Sequence, residues 1–332
     1  MRISALQNRY KLSMDYVRQK TELNGYPCEL VIELTNRCNL NCIMCPREKM
    51  SRYIGDMDFH LFKKVIDEIK QKPTEMVDLC FAGESLLHPE VFSIIKYAKK
   101  SGLRTFIQTN ATVLDENTGY KLMESGLDLL VLSIDAVREQ TYRSIRPGGD
   151  FNEVTRNAET FLKIKNNNSK RAPYTIVQLV YLTYNKHEAK DFVGLWKSKG
   201  ADAVRIKPFN DRAGFVDSSL DGRDDNNQNK GIPCIRLWRG LAIFWDGKVV
   251  PCCMDYSGKE IIGDVNLESI LEIWNSVEIQ NLRKLHIMNK VSDSELCRAC
   301  CGYNGNLLKT LGTVFFDALS IRKLAPVWNR GN

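Results

Sequence analysis

From Glu29 onward, short β-type runs alternate with helical patterns, and this alternation limits the folds open to the chain. The β-type runs are ELVIEL, MVDLCFAG, RTFIQTN, LDLLVLSID, YTIVQLVYLT and AVRIKPF. Regular alternation of strand and helix predicts βαβ units around a parallel sheet. Gly102, Gly126 and Gly200 fall where helices should stop before the next strand. The expected fold class is α/β, with ligands gathered at the carboxyl ends of the strands.

The chain divides into three expected parts. They are an N-terminal helical extension (1–26), the alternating domain (27–215) and a smaller C-terminal unit (216–332). The extension carries an amphipathic helix expected around Tyr10 to Thr21. The polar run from Asp211 to Gly231 is typical of a linker or a long mobile loop. After it, hairpin signals, a helix around Leu267 to Trp274 and six cysteines from Cys234 to Cys301 predict a metal-organised unit.

Charge and cysteine usage narrow the class of protein. The net charge of +7 comes from 47 basic against 40 acidic residues and is thinly spread, so nucleic acid is not the favoured partner. The N-terminus lacks the pattern of a signal peptide, and no apolar run approaches the roughly 20 residues that cross a bilayer. The expected location is the cytoplasm, where eleven cysteines indicate metal binding rather than a disulfide framework.

The stretch CNLNCIMCP places Cys38, Cys42 and Cys45 directly after the strand ELVIEL. Four cysteines would close a zinc or iron site, whereas three ligands to a four-iron cluster leave one iron open for a substrate or cofactor. Zinc is the alternative, with His60 the nearest further ligand, well downstream. Other polar motifs follow strands at the same predicted rim: Gly83-Glu84, Asn110 and Asp135.

The CxxxCxxC motif of Cys38, Cys42 and Cys45 resembles the signature of the radical S-adenosylmethionine (SAM) enzymes. That resemblance implies a partial (β/α)6 TIM-like barrel, one 4Fe-4S cluster whose open iron binds SAM, and a reducing donor such as flavodoxin or ferredoxin. In that family, reductive cleavage of SAM gives a 5′-deoxyadenosyl radical, which abstracts a hydrogen atom from the substrate.

The same resemblance assigns SAM-binding roles along the barrel. Ala82-Gly83-Glu84 resembles the family's Gly-Gly-Glu motif, with Ala82 in place of the first glycine, so Glu84 is expected to meet the methionine ammonium. Asn110 and the pair Ser133 and Asp135 resemble the strand-four and strand-five segments near SAM. A turn cap at Asn110 and a helix cap at Asp135 are the structural alternatives.

Cationic and amide side chains supply further candidates. Arg143 and Arg146 are expected carboxylate clamps, because a guanidinium binds carboxylate bidentately, and a surface arginine on a helix is the alternative. Four residues in or after later strands are expected to line the cavity: Gln178, Asn185, Arg205 and Lys207.

The second cysteine set comprises Cys234, Cys252, Cys297 and Cys300. Four thiolates on one small unit fit a fully ligated cluster, and zinc satisfies the same count. The set resembles the twitch or SPASM extension of radical SAM proteins, which implies one auxiliary 4Fe-4S cluster. Cys253 and Cys301 adjoin these ligands, and either neighbour is able to exchange roles with its partner.

Three other features complete the expectations. Because adjacent strand residues face opposite sides, Cys253 is expected to face away from the auxiliary cluster, where it is a candidate hydrogen-atom donor or a small buried residue. Cys28 and Cys80 are expected in the core. The run LLKTLGTVFFDALSIRKLAPVW predicts an amphipathic helix that packs on its own protein, with a membrane-surface or partner contact as the alternative.

Within the family, one auxiliary cluster in a short extension resembles 2-deoxy-scyllo-inosamine dehydrogenase and the neomycin epimerase. The implied reaction is hydrogen abstraction from a carbinol carbon of a sugar, cyclitol or similar small molecule, followed by dehydrogenation or by epimerisation with Cys253 as donor. A peptide-modifying SPASM enzyme is the enzymatic alternative, and a zinc-stabilised nucleic-acid-binding protein is the alternative outside enzymology.

Overall fold

The computed structural model describes residues 3–74, 76–168, 172–222 and 232–300. Six parallel strands are found where the alternation predicts them: β1 Glu29–Ile32, β2 Met76–Asp78, β3 Arg104–Thr109, β4 Leu129–Ser133, β5 Tyr174–Tyr181 and β6 Ala203–Pro208. Each of these six strands pairs in parallel with the next one in sequence, so a crossover connection links every pair. The predicted α/β fold with a parallel sheet is confirmed.

Helices connect the strands. Between the strands lie α2 Phe59–Ile69, α3 Val91–Lys100, α4 Glu116–Ser125, α5 Glu139–Ile145, α6 Phe151–Asn167 and α7 Ala189–Ser198. Asp58, Asp115 and Asp150 cap three of them by accepting backbone N–H bonds of the first turn. Gly102 and Gly126 follow helices with left-handed φ of 80° and 82°, as the sequence predicted.

The two faces of the sheet differ sharply in chemistry. Alternate residues such as Leu30, Leu79 and Leu130 pack against the helices in the main core. The opposite face, called the inner face, begins at the amino ends of the strands with an apolar cluster: Phe106, Leu129, Val131, Tyr174, Ile176 and Ala203. Nearer the carboxyl ends, the residues with the same parity are polar: Asp78, Gln108, Ser133, Gln178, Arg205 and Lys207. This second group is called the inner polar layer.

The C-terminal unit continues the sheet. Strand β7 Gly240–Ile243 pairs in parallel with β1, and β8 Lys248–Val250 and β9 Gly263–Asp264 follow antiparallel. Within the described residues all nine strands form one sheet. Helices α8 Ile270–Trp274 and α9 Val277–Ile287 cover the new strands. The predicted helix start at Leu267 moves to Ile270, because Ser269 and Glu272 form a capping box there.

The N-terminal helix α1, Ile3–Val17, lies against residues that begin the C-terminal unit. The edge of the Tyr16 ring meets Trp238 at 5.4 Å, and its hydroxyl donates to the Pro233 carbonyl. The helix ends before the predicted Thr21, because the chain turns back and the Asn24 N–H donates to the Asp15 carboxylate. The N-terminal extension therefore packs on the C-terminal unit.

Two sequence predictions fall partly or wholly beyond the described ranges. Of the predicted linker, the described portion ends at residue 222, and within it Val216 is buried against Ile145 and Leu182. Cys301 and the predicted amphipathic helix from Leu307 to Trp328 lie outside the described residues. Across residues 3–74, 76–168, 172–222 and 232–300, no helix is long and apolar enough to span a membrane.

Candidate functional site

The loop from Cys38 to Cys45, called the three-cysteine loop, lies at the carboxyl end of β1. Two of its backbone N–H groups donate to the segment after α5: Ile43 to the Ile145 carbonyl at 3.0 Å and Asn41 to the Pro147 carbonyl at 3.3 Å. All three thiols are free and partly exposed. The loop is thus held by backbone bonds, and its sulfurs are left for other partners.

The buried ion pair of Asp135 and Arg146 contacts this loop through Cys42. Asp135 accepts from Arg146 Nε at 2.9 Å and Nη2 at 2.5 Å, and also from the Val180 N–H. Arg146 Nη1 then donates to Cys42 Sγ at 3.5 Å. Although burial opposes the charge, Asp135 and Cys42 raise the pKa of Arg146, so it stays cationic. Asp135 sits at φ 65°, a strained conformation that the surrounding bonds hold.

Glu84 and Asn110 form the neighbouring part of the rim. Both carboxylate oxygens of Glu84 accept backbone N–H bonds, from Leu86 and from Asn110 at 2.7 Å, and burial raises its pKa. Asn110 Nδ2 donates to Asn39 in the loop and lies 3.9 Å from Cys38 Sγ. Asn110 Oδ1 also accepts from the Thr112 N–H, so the predicted turn is present as well.

Gly83 explains why this rim is tight. A Cβ at Gly83 would lie 2.3 Å from the Thr35 carbonyl oxygen and 2.6 Å from that of Arg37. Only glycine allows such an approach of two backbones. The Glu84 N–H donates to the same Arg37 carbonyl at 2.8 Å, so Glu84 is fixed against the chain that enters the three-cysteine loop.

Three other predicted residues have different fates. Ser133 lies in the inner polar layer, where its buried Oγ has no hydrogen-bond partner in the described part of the chain. Asn185 does not line the cavity, because its amide bonds the Asp135 and Val180 carbonyls and holds the backbone. Arg143 is not brought to the site: its side chain is 71% exposed and pairs with Glu139 one turn back along α5. The surface alternative describes Arg143.

The inner polar layer contains groups with shifted pKa values. Burial raises the pKa of Asp78 to about 7, although the Cys80 thiol donates to its carboxylate at 2.7 Å. Arg205 Nη2 donates to Gln178 Oε1, and burial lowers the pKa of Arg205. Burial, with Arg212 and Arg205 nearby, lowers the pKa of Lys207 to about 7. Gln178, Arg205 and Lys207 therefore lie where the sequence predicted cavity residues.

The two cysteines expected in the core differ. Cys28 is buried in the main core. The prediction that Cys80 lies in the core is wrong. Its sulfur faces Asp78 and accepts from the Gln108 N–H at 3.1 Å on the inner face. Residue parity explains the error: Cys80 has the same parity as the inner-facing Asp78, and a charged residue inside the run MVDLC was the available signal.

A second group of thiols lines one pocket in the C-terminal unit, called the four-cysteine pocket. Its cysteines are Cys234, Cys252, Cys297 and Cys300, and apolar side chains including Leu237, Leu282 and Leu296 enclose it. Burial raises the pKa of Cys297 to about 12. Cys253 does not line this pocket, and instead its sulfur accepts from Arg236 Nη1 at 3.3 Å. The structure thus separates the adjacent Cys252 and Cys253.

Arg212 and Tyr256 contact each other. Arg212 stands 5.6 Å over the Tyr256 ring and 3.9 Å from Met254 Sδ. Tyr256 raises the pKa of Arg212 and burial raises the pKa of Tyr256, while Cys45 of the three-cysteine loop and Cys253 raise both to a smaller extent. Sequence reasoning missed both residues, because they lie in loops with no periodic signal. Within the described residues, no three His, Cys, Asp or Glu side chains are spaced to hold a single metal ion.

Two family profiles match the chain. The Radical SAM superfamily profile covers residues 32–195, which include the three-cysteine loop, Glu84 and Arg146. The profile named SPASM, described as an iron-sulfur cluster-binding domain, covers residues 234–301. The tungsten-containing aldehyde ferredoxin oxidoreductase cofactor-modifying protein of Pyrococcus furiosus is 26% identical over 314 residues, covering 82% of this chain and 88% of that protein.

Solved structures share the fold. BtrN in complex with AdoMet and 2-DOIA has a TM-score of 0.60 and 18% identity, covering 86% of this chain and 95% of that one. Streptococcus suis SuiB bound to the precursor peptide SuiA has a TM-score of 0.66 and 14% identity, covering 83% of this chain and 70% of that one. At such identities the likeness shows the fold alone.

Proposed function

We propose, on the premise that this chain is a radical SAM protein with a C-terminal SPASM domain, that it oxidises a hydroxyl-bearing carbon of a sugar, cyclitol or similar small molecule. The observation that carries this proposal is the inner polar layer near the carboxyl ends of the strands, the ends at which the three-cysteine loop also lies. It offers Asp78, a carboxyl group whose pKa burial raises to about 7, as a base for a hydroxyl proton.

The radical SAM domain implies SAM and a 4Fe-4S cluster, and the SPASM domain implies auxiliary iron-sulfur. The residues present fit these groups, because three thiols share one loop that Arg146 and Asn110 approach, and four thiols line one pocket. Cys38, Cys42 and Cys45 would hold the first cluster. Cys234, Cys252, Cys297 and Cys300 would hold one auxiliary cluster, with Glu84 near the SAM ammonium.

When bound, the first cluster and SAM would supply the radical chemistry that removes a hydrogen atom from the substrate carbon, and the auxiliary cluster would supply an acceptor for one electron. Asp78 takes the hydroxyl proton, so the CH–OH group becomes a ketone. Cys80 donates to Asp78 and orients its carboxylate. The apolar cluster at the amino ends of the strands excludes water from beneath the layer. A protein reductant such as flavodoxin or ferredoxin would supply the first electron.

The match to BtrN, a protein that was crystallised with AdoMet and 2-DOIA, supports a small-molecule substrate, since it covers 95% of that chain. The Pyrococcus furiosus relative, whose name describes cofactor modification, agrees with a small molecule in general terms. A second candidate is peptide modification, which the match to SuiB with its precursor peptide favours.

The test begins with anaerobically reconstituted protein, reductant, SAM and panels of polyols and peptides. We expect 5′-deoxyadenosine, and a ketone from one polyol, with its yield rising as the pH passes through about 7 and Asp78 loses its proton. Asp78→Asn should lower ketone formation by roughly 10²–10⁴-fold and abolish that rise. Asp67→Asn, at an exposed carboxylate paired with Lys70, is the matched control.

Epimerisation remains the competing route for the same substrate class, because Cys253 lies outside the four-cysteine pocket beside Arg236. The reaction is run in heavy water to separate the two routes. Deuterium from the solvent on a product carbon of inverted configuration would show that the enzyme epimerises the substrate and does not dehydrogenate it. Cys253→Ser would then stop product formation but not 5′-deoxyadenosine release. A product made only from peptides would overturn the small-molecule proposal.

A further inference from the structure

We propose that the substrate carries an anionic group, a carboxylate or a phosphate, which Lys207 and Arg212 bind at the carboxyl-end side of the inner polar layer. This inference rests on the proposed function and specifies its substrate class. It is carried by two cations that follow one another at the end of β6 and that form no ion pair with a carboxylate among the described residues.

Lys207 is the central residue. It is partly buried on the inner face of β6, two residues beyond Arg205 along the strand. Within the described residues, no carboxylate lies within ion-pair distance of its ammonium group, and Arg212, Arg205 and Arg236 lie close enough to depress its pKa. A partly buried ammonium near guanidinium groups either loses its proton or is stabilised by an anion, and Asp78 in the same layer is close enough for Lys207 to lower its pKa.

Arg212 follows the end of β6 by four residues, and its charge lowers the pKa of Lys207. Its side chain contacts the Tyr256 ring and the Met254 sulfur, neither of which neutralises it. Arg236 adds a third positive charge, but it donates to Cys253 and borders the four-cysteine pocket. Arg236 therefore contributes mainly to the electrostatic field, while Lys207 and Arg212 are available for direct contact.

Three other arginines have carboxylate partners. Arg52 forms two 2.8 Å bonds to Glu33, and Arg146 is paired with Asp135. Arg239 pairs with Glu29 at 2.9 Å. Arg205 donates instead to the neutral Gln178, so among the described residues the positive charge without a carboxylate ion pair is concentrated in and beside the inner polar layer.

The hydrogen-bonding groups left over in the layer point to the same ligand chemistry. Within the described part of the chain, the buried Gln178 Nε2 and Arg205 Nε have no acceptor. Both atoms are donors, so a ligand that satisfies them must bring acceptor oxygens. Sugar acids and sugar phosphates carry acceptors and negative charge together, whereas an amine would meet like charge.

The experiment measures binding by calorimetry with cluster-loaded, SAM-bound protein and four probes: glucuronate, glucose 6-phosphate, glucose and glucosamine. We expect one of the anionic probes to bind at least ten-fold more tightly than glucose, and glucosamine to bind most weakly. Glucuronate in first place assigns a carboxylate, and glucose 6-phosphate in first place assigns a phosphate. Equal or tighter binding of glucose or glucosamine, or no anion binding at millimolar concentration, would overturn the proposal.

Variants locate the site. Lys207→Met and Arg212→Gln should each weaken anion binding at least ten-fold, while Arg143→Gln, at an exposed guanidinium on α5, should not. Without ligand, Lys207→Met should also melt at a higher temperature, because it removes like-charge repulsion. Unchanged anion affinity in both Lys207→Met and Arg212→Gln would overturn the assignment. Release of 5′-deoxyadenosine from SAM on the same samples tests the radical SAM function separately.

Discussion

The two cysteine groups achieve similar ends by different means. The three-cysteine loop takes its thiols from eight consecutive residues, and backbone bonds to Ile145 and Pro147 hold it at the rim of the sheet. The four-cysteine pocket takes its thiols from Cys234, Cys252 and the Cys297–Cys300 turn, which are far apart in the sequence and are brought together by tertiary packing. The first group is local and polar in its surroundings, and the second is distributed and apolar.

The difference indicates a division of labour. Around the three-cysteine loop, Arg146, Asn110 and Glu84 leave polar groups facing the sulfurs, as a site with an exchangeable ligand requires. Around the four-cysteine pocket, leucine side chains enclose most of the thiols, and Arg236 and His286 are the charged or polar members of the lining that the structure describes. Enclosure by four thiols suits a cluster that passes electrons or supports the fold, rather than one that binds substrate.

The largest expected effect on activity comes from Cys42→Ala, which removes a thiol of the three-cysteine loop. We expect 5′-deoxyadenosine release to fall by more than the roughly 10–100-fold that loss of a supporting partner costs, because a cluster ligand is lost. Iron analysis should show only the iron that is bound at the four-cysteine pocket. Cys80→Ser, at a thiol that faces Asp78 instead, is the matched control for iron content. Full SAM cleavage by Cys42→Ala would contradict the assignment of the loop.

Next in expected effect is Cys297→Ser in the four-cysteine pocket. We expect loss of the auxiliary iron and of product, with 5′-deoxyadenosine still released, and a lower melting temperature because cluster binding is coupled to folding. Cys253→Ser removes a thiol outside the pocket and should keep both iron shares. If Cys297→Ser retained the full iron content, the pocket would not be the auxiliary site.

The features that could be predicted from the sequence are the local ones, and those that could not be predicted depend on long-range packing. The loop motif, the strand ends and the placement of Glu84 and Asn110 at one rim of the sheet were readable, because local spacing and strand order place them. The roles of Arg143 and Cys80 were misread, since helix rotation and strand parity decide which way a side chain faces. Arg212 and Tyr256 were missed, because long-range loop packing leaves no periodic trace in a sequence.

A smaller effect is expected from Arg146→Gln. Removing this guanidinium leaves Asp135 buried without its partner, a change that typically costs about 3–5 kcal/mol of folding free energy. SAM cleavage should fall roughly 10–100-fold, because Cys42 loses its donor. Denaturant unfolding and 5′-deoxyadenosine release measure the two effects. The Asp135→Asn/Arg146→Gln double variant should recover part of the stability but not the cleavage rate.

The smallest effect, and the sharpest comparison, comes from Arg236→Gln, since Arg236 also donates to a cysteine sulfur. No carboxylate within the described residues is left unpaired by this change, so the free energy of unfolding should fall by less than about 1 kcal/mol. The auxiliary reduction potential should become more negative, because a nearby cation stabilises the reduced cluster. Electrochemical titration and denaturant unfolding measure these. A stability loss as large as that of Arg146→Gln would mean that both guanidinium groups are structural, and the contrast between the two regions would fail.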